Sequence, residues 1–145
     1  DYIKTIGAQL SNYIKEINGD TIRLLFWDIA GQVDFNFLQH LFYKESKAAI
    51  IVYSLEENEL GQKSFTHIKN WCQKVKEYCG DIPIVLFANK VDLVDELSLD
   101  TIQIQTLVDE YNFLYFFLTS AKTSQGVIEA FNAIIERLYL KFKAL

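Results

Sequence analysis

Ile82-Pro83-Ile84-Val85-Leu86-Phe87-Ala88-Asn89-Lys90-Val91-Asp92 passes without a break from a strand-length apolar run into a polar tetrapeptide. The run is too dense for a strand buried on one face, which alternates, and suits a parallel strand covered by helices on both sides. Residues 48–55 and 113–119 have the same character. Between these runs, Phe65, Ile68, Cys72, Val75 and Cys79 step by three and four, as do Val127, Phe131, Ile134, Leu138 and Phe142, which predicts two sheet-packing helices. A shorter helix is expected over residues 100–111, with Leu107, Val108 and Tyr111 inward and a stop at Asn112. Upstream, residues 8–17 and 21–28 flank Asn18-Gly19, a dipeptide that accepts the positive φ angles of a tight antiparallel hairpin. Strands alternating with helices predict an α/β fold with a mostly parallel sheet, right-handed crossovers and one antiparallel hairpin strand.

A chain of 145 residues, 50% hydrophobic and 14% aromatic, can build one domain with a substantial core and is short for two. Its net charge of -5 argues against nucleic-acid binding, which relies on clustered Lys and Arg. Cys72 and Cys79, the only cysteines, fall on one helical face and read as a reduced, buried pair rather than metal ligands, since His67 is the only histidine nearby. Two cysteines without a signal peptide point to a reducing cytoplasm. The apolar runs are far shorter than a bilayer span, and the terminal Lys141-Phe142-Lys143-Ala144-Leu145 holds no cysteine for a prenyl group. The expected location is therefore cytoplasmic, with peripheral membrane attachment supplied only indirectly or by other segments. The absence of any methionine and the abrupt opening Asp1-Tyr2-Ile3-Lys4-Thr5 suggest a chain that begins partway into a longer protein.

Asn89-Lys90-Val91-Asp92 sits where open α/β sheets bind ligands, just beyond a strand end. A carboxylate at Asp92 can accept two N–H bonds from the edge of guanine, whereas adenine presents an acceptor and no amine at those positions. Charged hydrogen bonds contribute roughly 1.5–3 kcal/mol each, so the wrong base would be strongly excluded. Asn89 can brace the loop and read the other edge of the base, and the Lys90 stem can lie over its plane. Ser120-Ala121-Lys122 follows another strand; a backbone N–H there can donate to the guanine carbonyl while Ser120 orients Asp92. In Asp28-Ile29-Ala30-Gly31-Gln32, the aspartate can hold magnesium through a water, Gly31 lets its N–H approach a terminal phosphate, and Gln32 can orient an attacking water. Thr5 offers a hydroxyl and N–H for magnesium and the terminal phosphate. Each segment alone equally fits a solvated turn. Their shared position at predicted strand ends, with 61 residues from Asp28 to Asn89 and 31 from Asn89 to Ser120, joins them into one constellation.

Tyr2-Ile3-Lys4-Thr5-Ile6-Gly7, Trp27-Asp28-Ile29-Ala30-Gly31-Gln32, Asn89-Lys90-Val91-Asp92-Leu93 and Thr119-Ser120-Ala121-Lys122-Thr123 together resemble switch I, switch II and the two base-recognition motifs of Ras-superfamily small GTPases. The likeness covers the whole chain. It is nearest the Rab branch, and there the Rab-like GTPases of Asgard archaea. It implies a three-layer P-loop NTPase G domain over residues 1–145, binding and hydrolysing GTP as a molecular switch in vesicle trafficking or signalling. Thr5 and Asp28, the latter through water, would hold Mg2+. Gly31 would touch the γ-phosphate, Tyr2 would cover the phosphates and Gln32 would position the water. Asn89, Lys90, Asp92, Ser120, Ala121 and Lys122 would form the guanine pocket. GTP and GDP are the implied ligands, with effector proteins, an exchange factor and an activating protein as partners.

Some positions depart from that pattern. Ile29 stands for a usual threonine, Val33 for a glutamate, Leu10 for a phenylalanine and Ser54 for a common aspartate, and residues 56–63 read as a long loop. The GxxxxGK[ST] phosphate loop and the family's first strand are absent from the sequence, and because that strand is central, an N-terminally truncated domain is expected. The alternative is a pseudo-GTPase, an interaction module that keeps the fold without efficient hydrolysis. An ATP-using P-loop enzyme stands behind both, because Asp92 would meet adenine with no donor.

Overall fold

The computed structural model describes residues 8–29 and 44–143, with side chains over 12–26 and 44–143. The described chain falls into two compact units, one made of the N-terminal hairpin with residues from Phe131 onward and the other of Lys47–Ala130.

In the first unit, β1 (Ala8–Ile17) and β2 (Asp20–Ile29) pair antiparallel, with Tyr13 opposite Leu24. Asn18 and Gly19 adopt φ angles of 52° and 84°, as a two-residue turn requires to match the twist of its strands. Side chains alternate: Tyr13, Leu24 and Phe26 are half-buried, while Asn12, Arg23 and Leu25 are exposed. Helix α4 (Val127–Lys143) lays the Phe131 ring 5.5 Å from Tyr13 and 4.7 Å from Phe26, and the Tyr13 hydroxyl donates to Asn132 Oδ1 at 2.9 Å. At the turn, the Tyr139 hydroxyl donates to Asp20 Oδ2 at 2.7 Å and Lys143 Nζ lies 3.0 Å from the same oxygen. Tyr139 first, and Lys143 after it, hold the Asp20 carboxyl below the ordinary carboxylate range. The expected stripe ran to Phe142, which is 48% exposed, while Ile134 and Ile135 are buried. Over the residues from 127 to 142 a helix rotates about 60° past a whole number of turns, carrying Phe142 off the face.

In the second unit, β3 (Ala49–Ser54), β4 (Ile84–Asn89) and β5 (Tyr115–Leu118) form a parallel sheet in that order. Every residue from Ile84 to Ala88 is buried, as the density of that run demands. On β3 the two-sided cover is incomplete, with Ile51 and Tyr53 buried but Val52 53% exposed. Helices α1 (Glu59–Thr66) and α2 (Ile68–Cys79) pack on β3, and α3 (Thr101–Glu110) packs on β5. Ile68, Cys72, Ile104 and Val108 close a core around Leu86. Burying a side chain as completely as Ile68 or Leu86 contributes about 1.5–3 kcal/mol. Asp100 caps α3 by accepting the Gln103 N–H at 3.0 Å, and Asn112, at φ 57°, turns the chain out of it.

Two expectations change here. The single helix predicted through Phe65 and Cys79 is two helices meeting at His67, whose N–H donates to the Lys63 carbonyl at 3.0 Å beside the Thr66 hydroxyl at 2.9 Å. Residues 56–63 are not simply a long loop, because α1 begins at Glu59 with Asn58 Oδ1 accepting the Gly61 N–H at 2.9 Å. Cys72 is buried and Cys79 only half-buried; both are free thiols, and burial raises the pKa of each. No described helix is long and apolar enough to cross a membrane.

Candidate functional site

Because β4 and β5 are parallel neighbours, their C-terminal ends emerge at the same edge, bringing residues 89–92 against residues 119–123. Backbone bonds fasten the edge. The Leu55 N–H donates to the Asn89 carbonyl at 2.9 Å, the Thr119 N–H to the Ala88 carbonyl at 2.9 Å, and the Val91 N–H to the Thr119 carbonyl at 3.0 Å.

On this frame Asn89 Oδ1 accepts from the Thr119 hydroxyl at 3.1 Å and from the Ala121 N–H at 3.2 Å. Its amide nitrogen is thereby left pointing away as a donor. Lys90 takes a left-handed backbone, φ 67° and ψ 35°, a conformation costing a non-glycine residue roughly 1–2 kcal/mol. That reversal starts the short 3-10 turn Val91–Leu93, which buries Val91 and presents Asp92 outward. The buried Ser120 hydroxyl donates to Asp92 Oδ1 at 2.8 Å and accepts the Thr123 N–H at 3.1 Å. Asp92 is thus oriented through one oxygen, and its other oxygen, Oδ2, has no hydrogen-bond partner among the described residues. The arrangement offers a carboxylate acceptor and an amide donor to a planar polar ligand.

The structure brings Asn89, Lys90, Asp92, Ser120 and Ala121 together, with Lys122 exposed just after them. The Ala121 N–H is given to Asn89 Oδ1, across the loop that the asparagine braces. Asp28 lies in β2 opposite Gln9, in the other unit. Tyr2, Thr5, Gly31 and Gln32 lie outside the described residues.

Three residues to which sequence reasoning gave no individual role also build the site. Thr119 is fully buried and hydrogen-bonds Asn89. Gly126 holds φ 74°, and a Cβ on it would sit 2.2 Å from the Leu118 carbonyl oxygen. Glu56 pairs with the Lys90 ammonium, and Lys90, with Asn58 second, holds its carboxyl below the ordinary carboxylate range. With a depressed pKa, the pairing is complete above the ordinary carboxylate range and is lost as pH falls through Glu56's lowered value. The Glu56–Lys90 bond spans 34 residues of sequence, and no local signal announces it.

The Ras family model matches residues 1–140, spanning both compact units. The Ras-related protein Rab-37 of Mus musculus is 33% identical over 144 residues, covering 99% of this chain and 61% of the relative. The Ras-related protein Rab-13 of Mesocricetus auratus is 35% identical over 141 residues, covering 97% of this chain and 67% of the relative. The chain thus spans about three fifths of the length of Rab-37. With its α/β fold, parallel sheet and antiparallel hairpin, this chain belongs to the Ras family as a Rab-like small GTPase.

Proposed function

We propose that residues 1–145 act as one small GTPase domain that binds GTP and GDP through the β4–β5 edge and hydrolyses GTP, switching between two states that protein partners read. The observation that carries this reading is the hydrogen bond from Ser120 to Asp92, which fixes one carboxylate oxygen and leaves the other toward a ligand. Oδ1 and Oδ2 of Asp92 accept the ring N–H and the exocyclic amine of guanine, respectively, and the Asn89 amide nitrogen donates to the base from the opposite side. The Lys90 stem covers the base plane, and Ala121 and Lys122 complete the rim.

For hydrolysis, Gln32 orients the attacking water, the Gly31 N–H meets the γ-phosphate, and Tyr2 shields the phosphates from solvent. Thr5 and Asp28, a hydroxyl and a carboxylate, are the hard oxygen donors that Mg2+ favours, Asp28 acting through a water. When bound, the ion supplies charge neutralisation at the phosphate oxygens. Ordering of the Thr5 and Gln32 segments by GTP, and their release on hydrolysis, makes the switch. Effectors, an exchange factor and an activating protein are the partners this activity calls for, acting in vesicle trafficking or signalling at the cytoplasmic surface of membranes.

The test is competition for fluorescent GDP, measured on the full-length protein. GTP and GDP should displace the probe, and ATP at a hundredfold excess should not; equal displacement by ATP would remove the base assignment. Gln32→Leu should leave GTP binding intact and lower hydrolysis at least about tenfold. Tight GTP binding with no hydrolysis by the unsubstituted protein, even with an activating partner, would instead favour a docking module.

A further inference from the structure

Among the described side chains of the base site, that of Lys90 is held from the β3 side. On the β5 side, Asp92 is bound by Ser120, and Asn89 by Thr119 and Ala121. On the β3 side the Lys90 ammonium reaches Glu56, just past the end of β3, where Ser54 pairs in register with Asn89. We infer that Glu56 is a positioning residue of the base site, drawing the Lys90 side chain across the strand-end edge so that its stem is already in place when nucleotide arrives; the inference rests on the reading of residues 89–92 and 120–122 as a guanine pocket.

The physical case lies in how differently the two partners are held. The Lys90 side chain is 48% exposed on a flexible four-carbon stem and would otherwise spread over many rotamers. Glu56 is 16% exposed and fixed by its own neighbours. The Ser54 hydroxyl lies 3.2 Å from Oε1, Asn58 Nδ2 donates to Oε2 at 2.9 Å, and the Glu56 N–H donates to Ser54 Oγ at 3.2 Å. Asn58 is itself immobilised, because its Oδ1 caps α1 at Gly61. Gly61 has no room for a Cβ, which would lie 1.9 Å from the Glu56 carbonyl oxygen, so helix and anchor are packed as one piece. A rigid acid therefore restrains a mobile base, and the ordering cost of the stem is met before binding.

Release of fluorescent GDP from the full-length protein tests this. Glu56→Gln should speed release about three- to fivefold, the range expected for a partly exposed pair, while Glu57→Gln, which removes a neighbouring exposed charge, should leave the rate unchanged. Lys90→Met should release faster still, and adding Glu56→Gln to it should change nothing further, because the acid acts only through the lysine. A purely structural role for Glu56 would instead give additive effects. Unchanged release in Glu56→Gln, or additivity in the double variant, overturns the inference while leaving the base pocket standing; failure of the unsubstituted protein to bind GDP overturns both. Should Glu56→Gln fold poorly, Glu56→Asp, with the charge kept and the reach shortened, runs the same cycle.

Discussion

Asp92→Asn should lower GTP affinity by about two to four orders of magnitude and turn the preference of the protein toward xanthosine triphosphate. Each of the two guanine N–H bonds to a carboxylate is worth roughly 1.5–3 kcal/mol, and an amide puts a donor where the exocyclic amine needs an acceptor. Xanthine carries a carbonyl in place of that amine and accepts the bond instead. The fold should be unaffected, because an asparagine oxygen can still accept the Ser120 hydroxyl that now lies 2.8 Å from Asp92 Oδ1. Competition of GTP and xanthosine triphosphate against one fluorescent probe reads the change directly. Retained GTP preference in a folded Asp92→Asn protein would mean that Asp92 does not meet the base.

A large stability loss is expected at Gly126→Ala. The new Cβ would lie 2.2 Å from the Leu118 carbonyl oxygen, a backbone atom at the end of β5 with no side-chain freedom to move aside. The surrounding turn is closed by the Ser120 N–H on the Gln125 carbonyl at 3.0 Å and the Ser124 N–H on the Ser120 carbonyl at 2.8 Å. Left-handed strain of roughly 1–2 kcal/mol and overpacking of roughly 1–3 kcal/mol together predict a loss of about 2–5 kcal/mol, or about 10 °C in Tm. Gly80→Ala is the control without a clash. Gly80 also has a positive φ, 77°, with ψ at -152°, but nothing within 4 Å of the added carbon, so it should lose only its backbone strain, about 1–3 kcal/mol. Equal losses at the two positions would show that the contact with Leu118 carries no energy. Because Ser120 lies in the displaced turn, Gly126→Ala should also weaken GDP binding, whereas Gly80→Ala should not.

What could be read beforehand divides along the range of the forces involved. The Asn18-Gly19 hairpin, the short helix near residues 100–111 and its stop at Asn112 depend on preferences of the residues themselves, and the structure reproduces each within a residue or two. The buried run of β4 announced itself by density of apolar residues. Helix α1 hid because Gly61, a poor helix residue, sits in its first turn, and only the packing against Glu56 explains the glycine. The break at His67 leaves no mark in the apolar periodicity, which steps straight across it. In the site, Asp92 and Ser120 could be paired from their places after neighbouring strands. The partner chosen by the Ala121 N–H, and the ion pair between Glu56 and Lys90, required the positions of loops brought together by the sheet.

The bonds at the end of β4 carry a consequence for how such a switch can work. Asn89 is tied on one side to Leu55 and on the other to Thr119 and Ala121, at the mouth of the most deeply buried strand. A loop so fastened opens only with the sheet itself, so its amide protons should exchange with solvent as slowly as those of the core. In the reading proposed above, GDP and GTP present this fixed edge with the same purine, so the difference between an on and an off state is sensed where the phosphates are gripped.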